Sequence, residues 1–201
     1  RDAKKTATCF LINEGLTEYI KDERRDIIEA SIKNNINTIL TSSMGRLFDV
    51  AASILDIRHE NCYEGQCAAN LEKEAIYALQ NKVEPQKLKF AIEKADGALK
   101  IDSKPVLESL CRLREIIDVR SLALGFHYAI ADAVLNICER IRFEQNINTV
   151  ALSGGVFQNT LLIERVLKLL RDKNFNVYYN LTVPPNDGSI SLGQTFIGLE
   201  R

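Results

Sequence analysis

The sequence predicts an α/β protein with a large helical portion, and two observations lead to this. Through residues 1–146 apolar side chains recur mostly at helical spacing, with a hairpin near 87–102. Residues 147–201 follow the order strand, glycine turn, helix, strand, loop, helix. A strand–helix–strand unit of this length favours parallel pairing of its strands with a right-handed crossover. We treat the two parts as pieces of one lobe.

The composition is that of an ordinary globular protein. Of 201 residues, 46% are hydrophobic and 26% charged, and the formal net charge is −1, so nothing indicates a general affinity for nucleic acid or an anionic membrane. No apolar run approaches the roughly 20 residues of a bilayer span, and the first residues lack the apolar core of a signal peptide. Five scattered cysteines indicate a reducing compartment. We therefore expect a cytoplasmic protein without nucleic-acid or membrane partners.

Three helices are expected in the first 80 residues, because apolar residues recur there at helical spacing. The third should run from 64 to 79 with its apolar side chains on one face. The apolar residues are Ile27, Ile28, Ala30 and Ile32 in the first helix, Leu47, Phe48, Ala51, Ala52 and Leu55 in the second, and Cys67, Ala68, Leu71, Ala75 and Leu79 in the third.

A β-hairpin is predicted near 87–102. Polar and apolar residues alternate before Asp96 and Gly97, which supply a turn signal. Ser103 is expected to cap the helix that follows, with Pro105 in its first turn. The remaining elements are predicted as a long helix at 119–143, a strand at 149–152, an amphipathic helix at 161–170 and a strand at 176–179.

A glycine turn, SGGVFQN at 153–159, joins the first of these strands to the amphipathic helix. Gly154 and Gly155 would leave backbone N–H groups exposed and let a ligand approach closely. We expect Asn159 about one turn into the helix, where its amide could reach a nucleotide held at the turn. The alternative is a tight strand-to-helix connection without a ligand.

A second motif, PPNDGS at 184–189, precedes the apolar final helix. Its carboxylate, Asp187, stands where the helix is expected to start. Asp at that position is normally an N-cap. The functional alternative is a ligand for a hard cation, because a carboxylate at a helix start near phosphates is well placed for one.

A third motif, TSSMGRLFD at 41–49, opens the second helix. Gly45 permits close approach of a ligand, and Asp49 one turn later can accept hydrogen bonds from ribose hydroxyls. The alternative makes Ser42 or Ser43 a helix cap and Asp49 an exposed first-turn charge.

These three motifs in this order, with Tyr-Glu-Gly at 63–65 and Phe-His at 126–127, resemble the C-terminal part of the hydrogenase maturation carbamoyltransferases (HypF). The resemblance covers nearly the whole chain. The related threonylcarbamoyl transferases of tRNA modification share the Gly-x-x-x-Asp, Ser-Gly-Gly-Val and Asp-Gly patterns. The segments 43–49, 63–65 and 184–187 are more similar to the hydrogenase branch.

The resemblance implies half of an actin-like, acetate-kinase-type (ribonuclease H-like) ATPase fold, with nucleotide in a cleft between two lobes. In that family a separate domain makes carbamoyl-adenylate from ATP and carbamoyl phosphate. The domain represented here would transfer the carbamoyl group to the C-terminal cysteine of a partner protein (HypE). The product becomes the cyanide ligand of nickel–iron hydrogenase. Residues 147–201 would be the nucleotide-binding part.

The resemblance also assigns site residues. Glu64 matches a family position without an assigned role, and no catalytic residue is assigned. The metal ligand would be Asp187, bound to a divalent ion. The nucleotide-binding positions would be Gly45, Asp49, Gly154, Gly155 and Asn159.

The sequence departs from the family at its metal site. The family uses a His-x-x-x-His pair, whereas this chain has only His59 and His127, 68 positions apart. We interpret His127, on a largely apolar helix, as a packed core histidine. Ser189 stands where a second Gly is usual. The divalent metal site is therefore expected to be incomplete in this chain.

Other functions stay open: a threonylcarbamoyl transferase-like lobe, a kinase lobe of the same fold, or a non-catalytic docking module for the maturation partner. Homodimerisation also stays open. The acylphosphatase, zinc-ribbon and adenylate-forming regions of the family are missing from the sequence, which starts without Met. Removal of a tag would explain that start, and so would a cut within a longer protein. We expect a piece of a longer enzyme that is inactive alone.

Overall fold

The computed structural model describes residues 2–95 and 97–199. By internal contacts the chain divides into an N-terminal unit that ends at Ala129 and a C-terminal unit that begins at Ile130. The long helix α6, Val119–Gln145, belongs to both. Each unit is described by itself.

The N-terminal unit is mainly helical, and α3 forms the centre of its core. Every residue of α3 from Leu47 to Ile54 is buried, and the helix contacts α1, α4 and α5. The elements of this unit are α1 (Ala3–Asn13), α2 (Arg25–Lys33), α3 (Met44–Ile54), α4 (Gln66–Gln80), β1 (Ala91–Ala95), β2 (Ala98–Asp102), α5 (Lys104–Leu113) and the first part of α6.

Helix α1 lies in a segment where no helix was predicted. Its buried positions are mainly small residues, Ala3, Ala7 and Thr8 with Leu11, so the apolar pattern is weak in the sequence. Its first turn is capped by Asp2, whose Oδ1 accepts a hydrogen bond from the Lys5 backbone N–H at 2.7 Å. A carboxylate at a helix N-terminus is favoured because it satisfies an otherwise unpaired N–H.

The buried face of α4 differs from the prediction at one position. Cys67, Leu71 and Ala75 are fully buried as expected, but Leu79 is 46% exposed and Ala78 is buried in its place. The fourth buried residue therefore follows the third by three positions rather than four. Both spacings keep side chains on one face of a helix, so the sequence pattern alone did not distinguish them.

The predicted hairpin is confirmed: β1 and β2 pair antiparallel, with Ala95 opposite Ala98. Of the predicted turn residues, Asp96 lies outside the described residues. Ser103 is the N-cap residue of α5 and Pro105 lies in its first turn, as predicted, but the side chain that accepts the cap hydrogen bond is a different one. Ser103 makes no side-chain cap bond in the described structure, and the Asp102 carboxylate instead accepts a hydrogen bond from the Lys104 N–H at 2.9 Å.

An ion-pair cluster ties α1 to the segment before α2. The Asp22 carboxylate is buried and accepts hydrogen bonds from Arg24 Nε at 3.0 Å, Arg24 Nη2 at 2.8 Å and the Thr8 hydroxyl at 3.3 Å. The Arg24 hydrogen bonds lower the pKa of Asp22 to about 2, against the opposing effect of burial. This cluster stabilises the unit electrostatically.

Residues 84–86 lie directly against α6 at Gly125. The Ser121 hydroxyl donates to the Glu84 carbonyl oxygen at 2.6 Å, and the Gln86 N–H donates to the Ser121 carbonyl oxygen at 3.1 Å. A Cβ at Gly125 would overlap the Gln86 carbonyl oxygen and lie 3.0 Å from its carbonyl carbon. Only glycine allows this approach without a shift of backbone.

The expectation about apolar runs needs correction at α6. By length and composition this helix could cross a membrane, with a mean hydropathy of 1.4 over its most apolar window. Of that window 61% is buried within the chain, so packing accounts for much of its apolar character.

The C-terminal unit has the predicted strand–helix–strand order. β3 and β4 pair in parallel, with Leu152 opposite Tyr179, which confirms the predicted pairing. The crossover helix α7 buries Leu162, Val166 and Leu170. The final helix α8 is apolar, yet none of its described residues is buried. The bounds are β3 (Thr149–Leu152), α7 (Thr160–Asp172), β4 (Asn176–Tyr179) and α8 (Ile190–Leu199), with 3₁₀ turns at Gly155–Gln158 and Asp187–Ser189.

Candidate functional site

Two of the predicted site residues lie on the first turns of α3. Gly45 is the second residue of this helix, and Asp49 follows one turn later. Asp49 is only 5% exposed, so the alternative of an exposed first-turn charge is wrong. Ser43 occupies the N-cap position but makes no side-chain cap bond in the described structure. The Ser43 alternative is therefore confirmed in position, but without the side-chain hydrogen bond of a cap.

The Asp49 carboxylate is held by two donors. Arg46 Nη1 donates to Asp49 Oδ2 at 3.2 Å, and Asn61 Nδ2 donates to Asp49 Oδ1 at 3.2 Å. The Arg46 side chain is half exposed, whereas the Asp49 side chain is 8% exposed. A carboxylate can accept about four hydrogen bonds. The carboxylate therefore has acceptor capacity beyond these two hydrogen bonds.

Asn61 is a site residue that the sequence analysis missed. Its side chain is buried, and its Oδ1 accepts a hydrogen bond from the Cys67 backbone N–H at 2.7 Å. The N-cap of α4 is Gly65, with a φ of 78° and no side chain to cap the helix, so Asn61 supplies the missing acceptor. No signal in the sequence indicates this contact, because the helix was predicted to begin at 64 and Gly65 was placed inside it. The neighbouring Glu64 is exposed.

The two histidines lie in different environments, and neither belongs to a metal cluster. His127 is fully buried, with Nδ1 2.7 Å from the Ala123 carbonyl oxygen and its ring at 5.3 Å from the Phe48 ring. Burial lowers the pKa of His127, so the prediction of a packed core histidine is confirmed. His59 contacts the Ser53 hydroxyl at 3.0 Å. Over residues 2–95 and 97–199, no group of three or more His, Cys, Asp or Glu side chains could hold a metal ion.

The glycine turn and the 184–189 loop meet in the C-terminal unit. The Gly154 N–H donates to the Pro185 carbonyl oxygen at 2.8 Å, so this N–H is not exposed as the sequence analysis expected. Gly154 has a φ of 102°, a conformation that favours glycine. A Cβ at Gly155 would lie 3.8 Å from the Asn186 Cβ, an ordinary contact. Both loops leave the same edge of the sheet because β3 and β4 are parallel.

Asn159 lies at a different position from the one predicted. It is the N-cap of α7 rather than a residue one turn into the helix, because the 3₁₀ turn Gly155–Gln158 comes first. Its Oδ1 accepts a hydrogen bond from the Leu162 N–H at 2.8 Å, and the residue is 9% exposed. Asn159 thus fixes where α7 begins, at the end of the glycine turn.

Asp187 does not cap a helix through its side chain. The cap residue of the 3₁₀ turn Asp187–Ser189 is Asn186, whose Oδ1 accepts a hydrogen bond from the Gly188 N–H at 3.1 Å. Asp187 is exposed, so its carboxylate is accessible to a cation. One carboxylate is too small a donor set for a divalent ion. The described residues therefore do not form a metal site by themselves.

Three comparisons relate the chain to known proteins. A family model described as "Carbamoyltransferase, Kae1-like Domain, second subdomain" matches residues 3–194. A carbamoyltransferase HypF from Synechocystis sp. is 32% identical over 155 residues, which are 77% of this chain and 19% of that protein. A probable carbamoyltransferase HypF from Methanocaldococcus jannaschii is 27% identical and covers 88% of this chain and 22% of its own length. A tRNA N6-adenosine threonylcarbamoyltransferase from Acaryochloris marina is 23% identical over 173 residues.

Two solved structures of HypF proteins are also similar to this chain. The structure described as full-length HypF in the phosphate- and nucleotide-bound form covers all of this chain, with a TM-score of 0.85 and 32% identity. A HypF structure from T. kodakarensis covers 88% of this chain with a TM-score of 0.71 and 30% identity. This chain spans 26% and 22% of those two chains, respectively.

Proposed function

Because the chain belongs to the family described as the second subdomain of the Kae1-like carbamoyltransferase domain, we propose that it forms a nucleotide-binding lobe of a hydrogenase maturation carbamoyltransferase. The donor would be carbamoyl-adenylate. The acceptor would be the C-terminal cysteine of the partner HypE, in the route to the cyanide ligand of nickel–iron hydrogenase. The fold would be half of an actin-like ATPase, and the setting cytoplasmic.

The observation that carries the proposal is the hydrogen bond from the Gly154 N–H to the Pro185 carbonyl oxygen at 2.8 Å. It joins two loops that both follow the carboxyl ends of parallel strands. Ligands of open α/β sheets bind at that edge. The loop with the glycine turn leads directly into α7, whose N-terminus favours negative charge through the helix dipole.

We assign the glycine turn to the phosphate of the adenylate. In the proposed reaction the partner thiolate attacks the carbamoyl carbon. A C–S bond forms, the C–O bond of the mixed anhydride breaks, and AMP leaves with the bonding electrons. Negative charge grows on the leaving phosphate, and the positive end of the α7 dipole beside the turn would stabilise it. Asn159 would fix that end of the helix in place, because its Oδ1 anchors the Leu162 N–H.

For the N-terminal unit we propose separately that Asp49 is a ribose-binding residue, as the family resemblance implies. Its carboxylate is buried and held by Arg46 and Asn61, which is the state of an acceptor whose orientation is fixed before a ligand arrives. Charge-assisted hydrogen bonds from ribose hydroxyls to such a group are stronger than those between neutral partners. Gly45, one turn earlier on the same face of α3, would leave room for the base or sugar.

For a metal ion, the predicted site residues supply one accessible carboxylate, Asp187. If a divalent cation binds there in a longer enzyme, its chemistry would be neutralisation of phosphate charge.

A thermal-shift titration of the chain with AMP tests the phosphate assignment, because a ligand that binds only the folded state raises its apparent stability. Asn159→Asp should abolish the AMP-dependent shift, since it keeps the cap acceptor and adds negative charge beside the phosphate. Asn159→Ser is the matched control, with a cap but no charge, and should retain most of the shift. An AMP-dependent shift in Asn159→Asp equal to that of the unmodified chain would refute the assignment.

A further inference from the structure

We propose that Asn61 is a positioning residue for nucleoside recognition: it holds the Asp49 carboxylate in the orientation that accepts ribose hydroxyls. This inference rests on the proposed function, in which Asp49 contacts the ribose. It concerns a residue outside the motifs that identified the site. The side chain of Asn61 joins two elements, the middle of α3 and the N-terminus of α4.

The orientation of the Asn61 amide is fixed by its two partners. The Cys67 backbone N–H can only donate, so the Asn61 oxygen faces it, at 2.7 Å. The Asn61 NH₂ group must then face Asp49 Oδ1, at 3.2 Å. The side chain therefore cannot flip without breaking both hydrogen bonds. Asn61 is 9% exposed, so water cannot easily replace either partner.

The second donor to Asp49 is of a different kind. Arg46 Nη1 lies 3.2 Å from Asp49 Oδ2, but the Arg46 side chain is 50% exposed, so water competes for this contact. Asn61 is buried and is also bonded to the backbone of α4. The Asn61 contact is therefore the one that holds the plane of the carboxylate.

Loss of Asn61 has a specific consequence for recognition. Without its NH₂ group, Asp49 Oδ1 is buried with one donor fewer, and the carboxylate can turn toward Arg46 to compensate. The ribose hydroxyls would then meet an acceptor in the wrong orientation. Contacts that do not involve the hydroxyls would not change. The effect should therefore depend on the hydroxyls of the ligand.

The test measures the dissociation constants of AMP and 2′,3′-dideoxy-AMP by titration calorimetry. The unmodified chain should prefer AMP by about 10-fold or more, the contribution of hydrogen bonds to a charged group. Asn61→Ala should reduce that preference to about 2-fold or less and leave the affinity for dideoxy-AMP unchanged. Asn61→Ser, which lacks the NH₂ group, should do the same. It keeps an acceptor for the Cys67 N–H, so it preserves the start of α4 if Asn61→Ala proves unstable.

The matched control is Gln66→Ala. The Gln66 Oε1 accepts a hydrogen bond from the Cys62 N–H at 2.7 Å, so this change disturbs the same turn without removing a contact to Asp49. It should leave the preference for AMP intact. Equal weakening of both ligands by the Asn61 variants would mean a purely structural role and overturn the inference, as would retention of the preference in both variants. A chain without any preference for AMP would instead remove the ribose assignment of Asp49, and the inference with it.

Discussion

Gly125→Ala should destabilise the N-terminal unit, although alanine is normally the better helix former. The added Cβ would overlap the carbonyl oxygen of Gln86 and lie 3.0 Å from its carbonyl carbon. The obstacle is backbone rather than the end of a flexible side chain. The segment must move away from α6, which also strains the hydrogen bond from the Gln86 N–H to the Ser121 carbonyl oxygen, now 3.1 Å long.

The expected size follows from three contributions. Overpacking of a rigid contact costs about 3 kcal/mol at the upper end of its usual range. Loss of one backbone hydrogen bond costs about 1 kcal/mol. The helix propensity of alanine returns about 1 kcal/mol. The free energy of unfolding should therefore fall by about 3 kcal/mol, which for a chain of this size lowers Tm by roughly 6–12 °C.

Thermal unfolding followed by circular dichroism measures this effect. Gly193→Ala is the matched control, because Gly193 is also helical and no atom lies within 4 Å of a Cβ built there. It should leave Tm unchanged or raise it slightly. A Tm for Gly125→Ala within about 1 °C of the unmodified chain, on the conversion used above, would refute the argument that the contact requires glycine.

Two further predictions concern titratable groups. Because Arg24 lowers the pKa of Asp22 to about 2 from 3.8, the ionised Asp22 stabilises the fold above pH 4 or so, and this contribution disappears as the pH falls through 2. Asp22→Asn should then lower the free energy of unfolding by roughly 2 kcal/mol at pH 7 and by almost nothing near pH 2. Urea titrations at the two pH values measure this difference. Equal losses at both would contradict the ion pair between Asp22 and Arg24. Iodoacetamide at pH 8 should modify exposed Cys62 quickly and buried Cys67 only on unfolding, because burial raises the pKa of the Cys67 thiol to about 11. Peptide mass mapping measures the labelling of each cysteine. Rapid labelling of Cys67 in the native state would contradict the prediction.

Local chemistry made much of the fold predictable from the sequence. The turn signal before β2, the glycine turn after β3 and the helical spacing around Phe48 each depend on residues close together in the chain. His127 was also predicted correctly, because a single histidine among apolar helix residues usually packs in the core, and it does. Such features need no knowledge of distant partners.

The wrong predictions occur where a neighbouring or distant residue takes the place of the one expected. The Asp102 carboxylate rather than Ser103 accepts from the first N–H of α5. Asp49 is buried because Asn61, 12 positions later, reaches it, and no spacing rule predicts that pair. Asn159 was placed too far into α7 because the 3₁₀ turn before it has no clear signal in the sequence.

The hydrogen bond between Gly154 and Pro185 involves main-chain atoms only. Replacement of the Pro185 side chain leaves its carbonyl oxygen in place, so an alanine scan of the two loops would not detect the contact. Variation among relatives is equally uninformative, since many residue types at position 185 could supply the same oxygen. The tolerance of the two loops to side-chain replacement should therefore exceed their tolerance to insertion or deletion, because a change of length would separate the N–H from the carbonyl.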